Sequence, residues 1–135
     1  MPATSQIIIS SNTHNGANTD PIEVIGDPFK GDGYYGWGDG LHTVEVQFTN
    51  FVGSFKIQAT LAADPSDSDW INVSLVSGYT IDTTGLVSET KANTITYTTP
   101  NTSVKSYNFE GNFVWIRAII FDFTAGSVNR ILYNH

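Results

Sequence analysis

Apolar and polar residues alternate in short runs along most of this chain. Over His42–Asn50, Val44, Val46 and Phe48 point one way, and Thr43, Glu45 and Gln47 the other. A period of two over this length predicts a strand with one buried and one wet face. Phe55–Ala62 repeats the pattern, with Phe55, Ile57, Ala59 and Leu61 opposite Lys56, Gln58 and Thr60. The intervening Asn50–Ser54 (NFVGS) predicts a turn, so the two runs are expected to pair as an antiparallel hairpin. Weaker runs predict strands at Gln6–Ser11, Ile22–Ile25, Trp70–Val76, Tyr79–Ile81, Leu86–Glu89, Thr94–Thr98 and Lys105–Phe109. Between them lie a polar loop at 13–21, a glycine-rich stretch at Gly26–Gly40, an Asp64–Asp69 turn and a TTPNTS loop at 98–103.

The last two strands are expected at Phe113–Phe123 and Val128–Tyr133, joined around Thr124–Ser127. The first of these is apolar on both faces. Val114, Ile116, Ala118 and Ile120 share one; Phe113, Trp115, Ile119, Phe121 and Phe123 share the other, interrupted only by Arg117. Such a strand is covered on both sides, by the opposing sheet and by either a long loop or another subunit. No stretch has the composition of a helix of ordinary length. Eight to ten short strands predict an all-β fold, a single domain over 1–135. Its expected form is a two-sheet antiparallel β-sandwich of jelly-roll type.

Composition narrows the function classes. The 135 residues include 8 Phe, 6 Tyr and 3 Trp, too many large side chains for a disordered tail. With no cysteine there are no disulfides, zinc ribbons or thiol chemistry. Thirteen acids against six bases give a net charge of −7, which repels phosphate, so nucleic acid is not an expected partner. No apolar run approaches the roughly 18 residues of a membrane helix, and no signal peptide is read at the start.

Candidate chemistry is sparse. Phe29, Tyr34, Tyr35 and Trp37 lie in the glycine-rich stretch, among glycines expected to be flexible. They either fold back as a lid over one end of the core, meet a subunit, or stack on sugar rings. Asp64, Asp67 and Asp69, and less so Asp27, Asp32 and Asp39, are candidate calcium ligands. Neither group has EF-hand order, and aspartate also favours turns for its own hydrogen bonding. His14, His42 and His135 form no recognisable triad or metal spacing, and no G-x-S-x-G element is present. Two carboxylates can make a glycosidase, but His42 and Asp39 are the only catalytic candidates singled out. Arg117 needs a partner, for which Glu45, Glu110 and Asp122 are candidates, or it carries its head to the sheet rim. Trp70 is expected to plug the core, and Trp115 to pack centrally or at a subunit contact.

Several segments together resemble a known group. They are Y-Y-G-x-x-D-G-x-H-T at Tyr34–Thr43, N-F-x-G at Asn50–Gly53, I-Q-A-T-L-A at Ile57–Ala62 and P-x-x-x-D-W at Pro65–Trp70. Gly111–Arg117 (GNFVWIR) and Phe123–Ile131 (F-x-x-G-x-V-x-x-I) complete the set. This pattern resembles small virion structural proteins of tailed phages, especially myoviruses infecting marine cyanobacteria. The resemblance implies a non-enzymatic virion protein, capsid-decorating or tail-associated, made in a host cytoplasm and needing no cofactor. Other virion proteins are the implied partners. Self-association is expected, with a trimer as the guess. Tyr34, Tyr35, Trp37, Phe113, Trp115 and Phe121 are the expected contact residues. The alternative is a carbohydrate-binding module or tail-fibre receptor-binding domain that attaches to cell-surface glycan through the same aromatics.

Overall fold

A computed structural model describes residues 5–14 and 21–135. Ten strands are formed among them: β1 (Gln6–Ile9), β2 (Asn12–Thr13), β3 (Ile22–Ile25), β4 (Phe29–Lys30), β5 (Leu41–Thr60), β6 (Ile71–Asn72), β7 (Leu75–Ile81), β8 (Val87–Ala92), β9 (Ile95–Glu110) and β10 (Trp115–Asn134). Short 3-10 turns occupy Asp32–Tyr35 and Asp67–Asp69. Every strand pair is antiparallel. The all-β antiparallel expectation therefore holds. The loop expected at 13–21 falls, for 15–20, outside the described residues.

The layering is reached differently from the expectation. All ten strands belong to one hydrogen-bonded sheet, ordered β1-β10-β5-β9-β7-β8, rather than to two separate ones. Along β10 sit also β2, β3 and β4, and along β5 sits β6. Three strands of 16 to 20 residues carry the sheet, and they bend at their middles. Phe55 pairs with Ile95, and Tyr107 pairs with Val44, so these partners belong to opposite halves of β5. Eleven extended residues would separate those halves by about 36 Å. Yet the Phe55 and Tyr107 rings lie 5.6 Å apart. The sheet is doubled over, and the two halves of each long strand face each other across the core.

This corrects the expected hairpin. His42–Asn50 and Phe55–Ala62 do not pair with each other; they are halves of β5, and both pair with β9 and β10. Asn50–Ser54 is a bend rather than a reversal. Asn50 takes φ 49°, a left-handed conformation that asparagine tolerates, and the register shifts around Phe51. The same holds for Thr124–Ser127. It lies inside β10, where Asp122 (φ 50°) and Gly126 (φ 79°) mark shifts in the pairing with β5. A Cβ on Gly126 would sit 2.0 Å from the Asn50 carbonyl oxygen, so the two bends interlock. The TTPNTS loop likewise lies within β9.

Inside the fold, Phe48, Phe51, Phe55, Ile57, Phe109, Ile116, Ile120, Phe123, Ile131 and Tyr133 are fully buried. The bend at Asp122 turns Phe123 inward, although alternation put it on the outer face. There Ile119 is buried, and Trp115, Arg117 and Phe121 are half-buried. Two loops and a lysine cover this face, as one form of the expectation required. Tyr34 packs edge-on against Trp115 at 5.2 Å. Trp70 lies under the Arg117 guanidinium at 4.4 Å, and Lys56 Nζ sits 5.0 Å from the Phe121 ring centre.

Candidate functional site

The glycine-rich stretch converges with the end of β10 to make the one place where exposed aromatics meet buried polar groups among the described residues. Local geometry explains why the sequence is so rich in glycine there. The Gly31 N–H donates to Val114 O and the Gly33 N–H to Phe113 O, both at 2.9 Å. A Cβ on Gly33 would lie 2.1 Å from Asn112 O, and one on Gly31 would lie 2.4 Å from Phe113 O. The loop is laced to the backbone ahead of β10 by direct contact. These glycines allow close approach instead of slack.

Two buried side chains hold the loop from below. Asp32 Oδ1 meets His135 Nδ1 at 2.6 Å, and Asp32 Oδ2 accepts from the Gly40 N–H at 2.9 Å. The Asp32 N–H donates to His42 Nε2 at 3.3 Å. That nitrogen is therefore the bare one, and Nδ1–H donates to Gly40 O at 3.0 Å. The His42 ring stacks on Phe109 at 4.9 Å and on Tyr133 at 5.9 Å. Burial pushes its pKa down, against the opposing pull of the Asp32 carboxylate, and keeps the ring neutral.

Above this floor stands the aromatic group. Tyr35 and Trp37 stack at 4.5 Å, and His135 closes a triangle with them at 5.5 and 5.4 Å. Tyr34 meets Tyr35 edge-on at 5.4 Å and carries Lys30 Nζ 4.5 Å from its ring centre. Trp37 remains 52% exposed and Tyr35 45%. A notch of about 280 Å³ lies between Gln6, Tyr35, Trp37 and His135. The arrangement offers rigid apolar ring faces beside a polar rim, which suits contact with a protein side chain or a sugar ring.

The other sequence candidates fall elsewhere. Phe113 lies ahead of β10 and packs against the core near His42 and Phe109, off the face that carries Trp115 and Phe121. Trp115 donates its indole N–H to Ala63 O at 2.8 Å and joins the aromatic group through Tyr34. Phe121 is half-buried beneath Lys56. Asp64, Asp67 and Asp69 are exposed, and Asp69 Oδ2 is taken by the Ser66 N–H and hydroxyl in a capping box. Of the other acidic trio, Asp32 is buried while Asp27 and Asp39 are exposed. Among the described residues no three acidic or histidine side chains gather as a metal site. Arg117 uses none of its expected carboxylates; its Nε donates to Gln58 Oε1 at 2.9 Å, and its head lies over Trp70. Trp70 is thus half-buried on the outer face instead of plugging the core. His14 is buried edge-on to Phe123 at 5.7 Å. The Asp32–His135 pair joins residues 103 apart, and no local pattern marks it.

No family model and no curated protein matches the chain. Two solved structures are distantly similar. The SPBc2 prophage-derived protein YomS is 13% identical, covers 98% of this chain and 95% of its own, and has a TM-score of 0.47. The K3 cleaved adhesin domain of Lys-gingipain from Porphyromonas gingivalis is 11% identical, covers 96% and 71%, and has a TM-score of 0.41. At that distance neither likeness says what this chain does.

Proposed function

We propose that this chain is a non-enzymatic virion structural protein of a tailed phage, capsid-decorating or tail-associated, acting through contact with neighbouring virion proteins. One observation carries the reading: the exposed Tyr34, Tyr35 and Trp37 are fixed from beneath by the Asp32–His135 pair and by the Gly31 and Gly33 contacts. Rigid aromatics lose little conformational entropy on association, and such residues dominate contact energies. Asp32 spends both carboxylate oxygens on holding the loop, a structural use of the acid. The resemblance of Tyr34–Trp70 and Gly111–Ile131 to phage virion proteins supplies the particle as the setting. Immunogold labelling of purified particles with antibody to this chain tests it. Label on the particle is expected; particles that lack the chain overturn the reading.

A second reading is favoured by the notch between Gln6, Tyr35, Trp37 and His135, whose ring faces and polar rim also suit a sugar. A saturable change in tryptophan fluorescence on adding host polysaccharide, lost in Trp37→Ala, would establish glycan attachment. No change leaves assembly as the role of the patch.

A further inference from the structure

The β7–β8 hairpin stands apart from the rest of the sheet. Among the described residues β7 touches β9 through one backbone pair, Val76 with Asn108, and from Gly78 to Thr90 the hairpin pairs only with itself. A lone two-stranded ribbon is marginal in water. This one also exposes Tyr79, Ile81, Leu86 and Val87, each by more than half. Its turn is nevertheless well set. Asp82 Oδ1 accepts from the Thr84 N–H at 2.8 Å, the Thr84 hydroxyl at 2.6 Å and the Leu86 N–H at 3.0 Å.

Among the described residues no strand pairs with the outer edge of β8, which contains no proline; the one register shift of the hairpin, opposite Thr90 and Lys91, puts its extra residue, Ser77, on β7. β9, by contrast, carries Pro100, which has no backbone N–H to give to an added strand. Hydrogen-bond parity fixes what the β8 edge presents. The Asp82 N–H donates to Leu86 O at 3.0 Å. Counting by twos along the register, Ser88 and Thr90 bond back to β7, and Val87, Glu89 and Lys91 turn their backbone groups outward.

From this edge we infer that two copies of the chain dimerise by antiparallel addition of β8 to β8, about a two-fold axis at Thr90. At that register Glu89 lies opposite the partner's Lys91, and Lys91 opposite the partner's Glu89, at positions whose outward backbone groups bond each other. The charges are self-complementary there and at no neighbouring register. An axis at Glu89 or at Lys91 would set like charges opposite each other, which is destabilising. A two-fold contact uses the same strand on both copies, as an isologous interface requires. It makes a four-stranded ribbon of two marginal hairpins and brings the Leu86–Val87 corner beside the 93–94 connection of the other copy. This contact is separate from the aromatic patch and does not depend on what that patch binds.

Size-exclusion with light scattering tests the pairing. The full chain is expected to run as a dimer. Glu89→Lys and Lys91→Glu each place like charges across both halves of the contact and should raise the dissociation constant about tenfold or more. The double exchange E89K/K91E restores opposite charges and should restore the dimer. Both side chains are exposed, and circular dichroism verifies that each variant folds. A monomeric wild type, a trimer, single variants that dimerise unchanged, or a double variant that stays apart would each overturn the inference. Trp37→Ala should leave the mass unchanged. If it dissociates the dimer, the aromatic patch is the self-contact and the β8 edge is not.

Discussion

The aromatic loop and the β7–β8 hairpin expose similar kinds of side chain and are built in opposite ways. Residues 31–42 are held by backbone bonds with Gly111, Phe113 and Val114, by a buried carboxylate with both oxygens occupied and by a buried neutral imidazole. The hairpin has none of these. Its tip is ordered by one exposed aspartate, and its root by Leu75 in the core. Exposure of Tyr35 or Trp37 therefore says nothing of looseness, whereas exposure of Ile81 reflects real detachment. The contrast suits two kinds of contact. A preorganised patch meets a shaped partner, and a ribbon with an open edge gains strength only when another strand completes it.

The strongest way to break the contrast is to put one methyl group into each region. Gly33→Ala drives a Cβ to 2.1 Å from the Asn112 carbonyl, a backbone atom that cannot swing aside. A cost of about 3 kcal/mol is expected, from overpacking and loss of the Gly33–Phe113 bond. Gly78→Ala in the hairpin meets nothing within 4 Å, and stability should stay within about 0.5 kcal/mol of wild type. Urea midpoints of the two variants measure this directly. Equal losses would mean that the loop yields as easily as the ribbon.

Next in size is the Asp32–His135 hydrogen bond beneath the loop. Asp32→Asn keeps the shape of the side chain but removes its charge from His135 and weakens the acceptor for the Gly40 N–H. A loss of about 1–2 kcal/mol is expected. Amide exchange should quicken over 36–40 and stay unchanged over 77–91. A spread of the effect into the hairpin would show the two regions to be coupled.

Sequence periodicity carried the strands and most inner residues of β5 and β10, because alternation depends only on which face is buried; it failed where β5 ends, since Leu61, expected inward, is exposed and Thr60, expected outward, is buried. It could not separate a bend from a reversal. Asn50, Gly53, Asp122 and Gly126 are residues that suit either, and the choice lies in what the halves pair with. Alternation across Asp122 also failed for Phe123, since the register shift there turns the ring inward. Of the site, the aromatics were legible from composition. The Asp32–His135 contact was not, because it joins the first short turn to the last residue of the sequence. Arg117 chose an amide and a tryptophan over three carboxylates, a matter of which loop crosses the strand.

A smaller effect follows from His42. Burial lowers its pKa in the folded chain below the unfolded value near 6.5. As pH falls through this window the unfolded chain takes up a proton that the folded one refuses, so stability drops. This part of the stability is fully present above the unfolded pKa. Urea midpoints at pH 7.5 and 5.5 should show the loss, and His42→Asn should reduce the pH dependence while lowering stability at both. A midpoint that rises on acidification would contradict a neutral His42.

The smallest effect is local to the hairpin. The Thr84 hydroxyl, with the Leu86 and Thr84 backbone amides, holds the Asp82 carboxyl below its ordinary pKa. Its contribution is present above the unfolded value near 3.8 and is lost as pH falls through the folded one. Because Asp82 is fully exposed, the consequence is confined to the turn. Asp82→Ala should quicken amide exchange at Thr84 and Leu86 and leave the urea midpoint unmoved. It should also weaken the β8–β8 dimer less than Glu89→Lys does, since the turn orders the ribbon without touching the charges that select its register. If Asp82→Ala instead lowers the global midpoint, the hairpin is a cooperative part of the sheet, and the contrast between a laced loop and a detached ribbon fails.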